Sequence, residues 1–544
     1  MRIFGPVLAL LLVSSVAVAQ EMKHEHDATA PTTLMSGLSN LHHAVSTKNK
    51  EAQAFFDQGL RLTYAFHHEA AIASFTRAAD LDPGLAMAYW GIAYDHGPNY
   101  NMPMDADHAE AAWDAIQKAL ELAPKANARD RDTIAALAKR YSNDPQADRA
   151  ALDRDYAAAM KALAAKYPKD LDAATLYAES LMDLHPWQLW HADGTPEDRT
   201  LEIVSTLESV LKRDRNHIGA NHYYIHAVEA SRNPERALPA AKRLETLAPA
   251  AGHLVHMPAH IYMRVGNYMS AVRANVHGVH ADESYFEDHP GKEMYTMYYG
   301  HNLHFLAIAN AMAGRYADSK AAADKLADLA GPMVKDMPFV ETFIPTPTLV
   351  LVKFHKWGDV LILPAPDKNL RITYAVWRFA RGMAYAASGG IERAKAEQTA
   401  FANAVKAIPA DSMSGLNKTS DIMAIAGGLL HAKIMMAGGD HDAAVVALQK
   451  SARLQDSLAY DEPPALFLPA WEALGGVLLK KGDYAAAEQA FREDLVRNPN
   501  NGRSLFGLYT ALKAQGMNSA ATQVHTQCKA AWKGADTSFT ASDF

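Results

Sequence analysis

Apolar residues recur through most of this chain at intervals of three and four, which is the spacing of amphipathic α-helices. No segment shows the sustained alternation of apolar and polar residues that marks a half-buried β-strand. From residue 51 onward the helical segments come in pairs, and the pairs repeat. The pattern therefore predicts an all-α protein built from helical hairpins.

The first 50 residues follow a different pattern. Arg2 precedes an apolar run over residues 7–18, and small residues come just before the polar Gln20. This arrangement is typical of a secretory signal peptide over residues 1–19, and the run is short for a membrane span of about 20 residues. We therefore expect an exported chain, periplasmic or secreted, without a stable membrane span after cleavage. Residues 20–50 are predicted to be a polar, mobile leader, and whether the leader fills a groove in the body stays open.

A repeat signature of about 34 residues is nearly complete close to the C-terminus. It consists of Trp471, Leu474, Gly475, Leu478, Ala487, Phe491 and Pro499. The same offsets recur near the N-terminus, at Phe55, Gln58, Gly59, Leu62, Ala71, Phe75 and Pro83. The small residues let two helices approach closely, the large residues fill the space between them, and proline ends the second helix. Each signature therefore predicts one helical hairpin.

These signatures resemble the tetratricopeptide repeat family, and weaker copies extend the resemblance along nearly all of the mature chain. The resemblance implies a right-handed superhelical solenoid of about ten hairpins with a concave binding face. We divide it into N-terminal repeats (51–215), histidine-rich central repeats (216–330) and C-terminal repeats (331–544). Three segments are similar, more narrowly, to a group of exported bacterial repeat proteins of unsettled function: 86–93, 253–260 and 501–507.

Composition narrows the classes of function. With 49% hydrophobic and 21% charged residues among 544, the chain has enough apolar surface to fold along its whole length. Its net charge of −8 and its lack of a long basic run argue against binding to nucleic acid or to an anionic membrane. Cys528 is the single cysteine, so no intrachain disulfide can form, and a metal site would have to use histidine and carboxylate ligands.

The histidines are the strongest indication of function. Eleven of the 25 lie between residues 217 and 304, and most of them recur at matching places in successive repeats. Two pairs have a spacing of four residues and a third has a spacing of three: His222/His226, His256/His260 and His301/His304. On a helix, the two members of each pair would share one face.

The family resemblance implies a place for these pairs. In tetratricopeptide repeats, a fixed set of positions on the first helix faces the concave groove, and seven histidines from three neighbouring repeats take such positions. The predicted groove residues are His222, His226, Glu229, His253, His256, His260, Arg264, His301 and His304. This stripe lies about 100° around the helix from the buried stripe, so packing does not oblige it to be apolar.

Two functions from different classes fit such a groove. In the first, the protein is an exported binding scaffold whose histidine- and tyrosine-rich groove holds a peptide, a segment of a partner protein or a small polar ligand. In the second, it is a metalloprotein that uses His222, His226, His256 and His260, with Zn, Cu and Fe as the candidate metals. Packing or lining of a polar groove is the alternative role for the same histidines.

Catalysis is left open by the sequence. The chain has no H-E-x-x-H, G-x-S-x-G, Walker or C-x-x-C-H motif, so no standard hydrolase, kinase or haem site is predicted. A metal held by three protein ligands would have an open position for chemistry, whereas four ligands would suggest storage or a structural role.

Overall fold

The computed structural model describes residues 33–289 and 294–538, which form 25 α-helices, short 3-10 turns and one small β-hairpin. The N-terminal helices are α1 (Lys50–Thr63), α2 (His68–Leu81), α3 (Ala86–Asp95), α4 (Ala106–Leu122), α5 (Ala128–Leu137), α6 (Arg149–Lys166), α7 (Leu171–Met182) and α8 (Thr200–Arg213). The central helices are α9 (Ile218–Glu229), α10 (Leu238–Leu247), α11 (Gly252–His256), α12 (Pro258–Arg264), α13 (Tyr268–Asp288), α14 (Thr296–Met312) and α15 (Tyr316–Ala330). The C-terminal helices are α16 (Thr346–Lys353), α17 (Trp357–Ile362), α18 (Arg371–Ala387), α19 (Ile391–Lys406), α20 (Thr419–Ala437), α21 (His441–Asp456), α22 (Ala470–Lys481), α23 (Tyr484–Arg497), α24 (Gly502–Ala514) and α25 (Asn518–Ala531). Strands β1 (Met413–Ser414) and β2 (Asn417–Lys418) pair antiparallel.

Successive helices pack against each other as hairpins, so the predicted all-α solenoid of tetratricopeptide-like repeats is confirmed. The described residues contain twelve hairpins rather than about ten, with α11 and α12 counted as one interrupted helix. The interruption lies at Met257, because Pro258 has no N–H to donate to the preceding turn.

The repeat signature works through close contact between glycine and phenylalanine. A Cβ atom on Gly59 would lie 2.6 Å from the ring of Phe75, which belongs to the second helix of the same hairpin. A Cβ atom on Gly91, in the next hairpin, would lie 2.5 Å from the same ring. Phe491 is held in the same way between Gly475 and Gly507. One buried ring therefore packs within its hairpin and against the next one, which explains why the signature stacks.

Residues 33–49 lie against the body rather than forming a solvated leader. His43 Nδ1 bonds to Asp172 Oδ2 at 2.7 Å, and Ser46 Oγ donates to Asp130 Oδ2 at 2.7 Å. The predicted signal peptide (1–19) and residues 20–32 lie outside the described part of the chain.

The C-terminal hairpins fold back onto the central ones. Asp536 accepts a hydrogen bond from the backbone N–H of Tyr316 at 2.6 Å, and Asn500 Nδ2 donates to Gly266 O at 3.3 Å. The loop before α22 also reaches the central repeats, because the hydroxyl oxygen of Tyr460 lies 3.3 Å from Glu229 Oε2. Residues of the C-terminal repeats therefore lie against the central hairpins.

Helix α20 is long and apolar enough, by length and composition, to cross a membrane, and it is the one such helix in the described residues. It forms a hairpin with α21 and also packs against α18, α19 and α22. Ile425 and Leu430 are buried in these contacts. Packing within the solenoid therefore accounts for its apolar sequence.

Candidate metal centre

Six buried or half-buried histidines of the central repeats form two adjacent groups of three. Triad 1 consists of His222, His226 and His253, and triad 2 consists of His256, His260 and His301. Within each triad, one ring nitrogen from each histidine lies within 4.8 Å of the other two. The triads adjoin, because the ring centroids of His226 and His260 are 5.5 Å apart. Helices α9, α11, α12 and α14 supply all six side chains.

In triad 1, hydrogen bonds fix the tautomers of two rings. His222 Nδ1 donates to the carbonyl of Tyr64 at 2.7 Å, which leaves its Nε2 with a lone pair. That Nε2 lies 3.1 Å from Nε2 of His253. His226 Nδ1 bonds to Glu229 Oε1 at 2.7 Å, and its Nε2 is buried without a hydrogen-bond partner. The Nε2 atoms of His222 and His226 are therefore in the form that binds a metal.

Triad 2 has the same organisation. His256 Nδ1 bonds to Asn275 Oδ1 at 2.6 Å, and His260 Nδ1 bonds to Glu229 Oε2 at 2.6 Å. The two Nε2 atoms face each other at 2.7 Å. The ring of His301 completes the group, with its centroid 4.9 Å from that of His256.

Glu229 joins the two triads, since its two carboxylate oxygens bond to His226 and His260. Glu462 also contacts Nδ1 of His260, and Tyr460 donates to Glu462 Oε2 at 2.7 Å. Burial raises the pKa of Glu229 to about 7, and burial together with Glu229 raises the pKa of Glu462 well above its ordinary value. Two buried carboxylates therefore lie close together, an arrangement that nearby positive charge would stabilise.

Burial also keeps the imidazoles neutral. It lowers the pKa of five of the six histidines well below the ordinary value of 6.5, and the neighbouring histidines lower it further. These five are His222, His226, His253, His256 and His301. Neutral imidazole is the form that coordinates metals.

Aromatic rings cover both triads. The ring centroid of Phe66, in the turn after α1, lies 4.5 Å from that of His222 and 5.6 Å from that of His253. Phe305 of α14 lies 4.7 Å from both His256 and His260. Such a shell lowers the local polarity and limits access of water.

A cavity of about 780 Å³ adjoins triad 2. His260, Phe305, Tyr460 and Glu462 belong to its wall, together with Arg264. The cavity is of the size that holds a small organic molecule.

The four predicted metal ligands, His222, His226, His256 and His260, lie close together and fall into the two triads. His253 and His301, which the sequence offers as further ligands or as partners of the ligands, complete those triads. Five of the six imidazoles are at most 2% exposed. Of these five, His260 lines the 780 Å³ cavity, as does the predicted groove residue Arg264.

Three predicted groove residues lie outside the triads: Glu229, which bonds to a histidine of each triad, and His304 and Arg264. His304 packs against Phe343, with ring centroids 5.3 Å apart. Arg264 donates from Nε to the backbone carbonyl of Glu229 at 2.8 Å, so it holds the end of α9 in place. Of the tyrosines expected beside the histidines, Tyr298 is in contact with His253, at 4.7 Å between centroids.

Several residues of the centre gave no signal in the sequence. Tyr64 and Phe66 come from the first hairpin, and Tyr460 and Glu462 come from the loop before α22. His67, just before α2, is buried and stacks on Tyr295 with centroids 3.8 Å apart.

Similar solved structures are helical-repeat proteins. The yeast Tom70 structure has 12% sequence identity and a TM-score of 0.33, with 87% of this chain and 97% of that chain covered. A human IFIT1 dimer has 10% identity and a TM-score of 0.32, with 88% and 90% covered. The TPR domain of P58(IPK) has 12% identity and a TM-score of 0.24, with 86% and 99% covered. These TM-scores are low, so the description of the fold rests on the hairpin packing of this chain and not on the matches. No family model and no curated protein matches the chain.

Proposed function

We propose that this array of tetratricopeptide-like hairpins is a transition-metal-binding protein in which triad 1 and triad 2 each hold one ion. The observation that carries the proposal is the approach of Nε2 of His256 to Nε2 of His260 at 2.7 Å, while Nδ1 of each ring faces an oxygen acceptor.

The tautomers of these two rings follow from their other hydrogen bonds. Asn275 Nδ2 donates to the carbonyl of Ala271 at 2.8 Å, so its Oδ1 faces His256 and accepts from Nδ1. The carboxylate of Glu229 accepts from Nδ1 of His260. In the neutral rings, both Nε2 atoms are therefore left without a proton.

Facing lone pairs repel each other unless a cation lies between them. A proton shared by the two rings would leave a positive charge on the pair. Such a charge is unfavourable, because burial and the neighbouring His260 and His301 hold the pKa of His256 well below 6.5. A metal ion would instead accept both lone pairs. Nitrogens bound tetrahedrally at about 2.05 Å lie about 3.3 Å apart, so the two rings would have to separate by only about 0.6 Å.

The surroundings of the rings fit the same function. Metal-binding histidines generally donate their second ring nitrogen to a carboxylate or a carbonyl, which orients the ring. Tyr64 O, Glu229 and Asn275 Oδ1 are such acceptors for four of the rings. Imidazole ligands suit Zn, Cu, Fe and Ni, and three protein ligands leave one position open at a tetrahedral ion.

Metal analysis of protein made without a histidine tag tests the proposal. We expect two ions per chain in the wild type and about one in the His256→Ala/His260→Ala variant, because triad 1 would remain. His304→Ala is the matched control, since His304 is also buried on a neighbouring turn of α14 but packs against Phe343. Circular dichroism of each variant checks the fold. An unchanged metal content in the double variant, or a wild type that retains no metal, would refute the proposal.

Export is part of this proposal and is supported by the sequence of residues 1–19 alone. Fractionation of cells that express the full chain, with mass spectrometry of the N-terminus, tests it. A chain that stays in the cytoplasm with residues 1–19 attached would refute export and would leave the metal proposal untouched.

A further inference from the structure

A second cavity, of about 340 Å³, lies among the C-terminal hairpins. Its charged wall residues are Lys353, Lys433, Lys480, Arg503 and Glu472. Four of these are cationic and one is anionic, which gives a formal charge of +3 in a chain whose net charge is −8. A cavity wall with a net positive charge raises the local concentration of anionic ligands.

Lys353 is the central feature of this wall. Its side chain is 4% exposed, and its Nζ has no hydrogen-bond partner in the described part of the chain. The nearest carboxylate oxygen, Glu472 Oε2, is 3.5 Å away. Glu472 forms an ion pair with Lys353 but no hydrogen bond to it, and it accepts from Arg503 Nε at 2.6 Å through Oε1 and from Asn501 Nδ2 at 2.9 Å through Oε2. The buried ammonium therefore lacks an acceptor that a ligand could provide.

Glu472 is held in its charged form. Burial alone would raise its pKa, but Lys353 and Arg503 outweigh burial and lower the pKa to about 2. Glu472 is therefore ionised near neutral pH, and the formal charge of +3 for the cavity wall already includes its negative charge.

Apart from His355 and His441, the remainder of the wall is apolar. Trp357, Met383, Leu429, Leu468 and Val477 contribute to it. They come from helices α17, α18, α20 and α22 and from the loop before α22. A ligand that fills this space would bury an apolar group as well as an anionic one.

We infer that this cavity binds a small organic carboxylate that carries an apolar chain, with the carboxylate accepting from Lys353 and the chain lying along the apolar wall. The inference is independent of the metal proposal, because none of the wall residues belongs to the triads.

Calorimetric titration of the full chain with octanoate tests the ligand class, with octanol and acetate as comparison ligands. We expect one octanoate per chain, and at least tenfold weaker binding of octanol, which lacks the charge, and of acetate, which lacks the chain. Equal affinity for octanol would refute the anionic part of the inference. Equal affinity for acetate would refute the apolar part, and absence of octanoate binding would refute the whole.

Two lysine variants locate the site. Lys353→Met keeps the length of the side chain and removes its charge, and we expect it to weaken octanoate binding at least tenfold. Lys481→Met is the matched control, since Lys481 is exposed, pairs with Asp442 and does not line the cavity. Circular dichroism of ligand-free Lys353→Met checks the fold, because Lys353 also stabilises the charge of Glu472. Unchanged octanoate affinity in a folded Lys353→Met would contradict the inference.

Discussion

His222 and His253 bring their Nε2 atoms within 3.1 Å of each other although 31 residues separate them in the chain. His222 lies on α9 and His253 on α11, in neighbouring hairpins. A ligand shared by the two rings would therefore join two repeats, and binding at triad 1 would be coupled to the stability of the array.

The first prediction follows from this coupling. Zn²⁺ at about 100 times its dissociation constant should stabilise the folded chain by about 2.7 kcal/mol for each ion bound. Thermal unfolding in metal-free buffer and with added Zn²⁺ measures the effect. The shift in melting temperature should fall in His253→Ala and persist in His304→Ala. An identical shift in the two variants would show that Zn²⁺ binds elsewhere.

The second prediction concerns Glu229, which accepts from Nδ1 of both His226 and His260. In Glu229→Gln, the amide has one acceptor oxygen and cannot accept from both rings. Loss of such a carboxylate partner typically costs about 10- to 100-fold in metal affinity. Competition with a chelating dye measures that affinity.

Glu245→Gln is the matched control for Glu229. Glu245 also lies in the central repeats, but it bonds to the hydroxyl of Tyr262 and to neither triad. Its substitution should leave the metal affinity unchanged. If Glu229→Gln also left it unchanged, Glu229 would have no role in orienting the metal ligands.

The hairpins that could be predicted are those whose packing is local. Gly475 and Phe491 contact each other within one repeat, so their spacing appears directly in the sequence. The hairpin of α16 and α17 has helices of eight and six residues, which are too short for the signature offsets. The hairpins α5/α6 and α7/α8 also lack the signature, so fewer than the twelve hairpins of the described residues could be predicted.

The candidate centre could also be predicted only where its residues are close in the sequence. The spacing of His222 and His226 places both on one face of α9. It does not determine which rings of other helices they meet, and the break at Pro258 separates His256 from His260 into different helical segments. Tyr460 reaches Glu229 across 231 residues, so only the folded array brings it to the centre.

The third prediction concerns pH and the docking of residues 33–49. Burial opposes a charge on His43, but the bond and the negative charge of Asp172 outweigh burial and raise the pKa of His43 above 6.5. The pKa is thus higher in the folded than in the unfolded chain. The contact stabilises docking fully below pH 6.5, and the stabilisation is lost as pH rises through the raised pKa.

Hydrogen exchange of residues 33–49, corrected for the intrinsic effect of pH, measures this dependence. Protection should decrease between pH 6 and alkaline pH in the wild type, and His43→Gln should flatten the change. His42→Gln is the control, because His42 pairs with Asp57 but its side chain is 59% exposed. A wild-type profile that is flat with pH would refute the role of His43.

The last prediction tests the packing that stacks the repeats. In Gly91→Ala the new methyl group would meet the Phe75 ring at 2.5 Å, and that ring is already confined on its other side by Gly59. Alanine favours a helix over glycine by about 1 kcal/mol, but overpacking of this kind typically costs about 1–3 kcal/mol. We expect a net loss of stability, measured by urea unfolding. Gly358→Ala is the control, since Gly358 lies in α17 with open space around its Cβ position, and this variant should be neutral or slightly stabilising. If Gly91→Ala were as stable as Gly358→Ala, the glycine contact would not be what limits the approach of the first two hairpins.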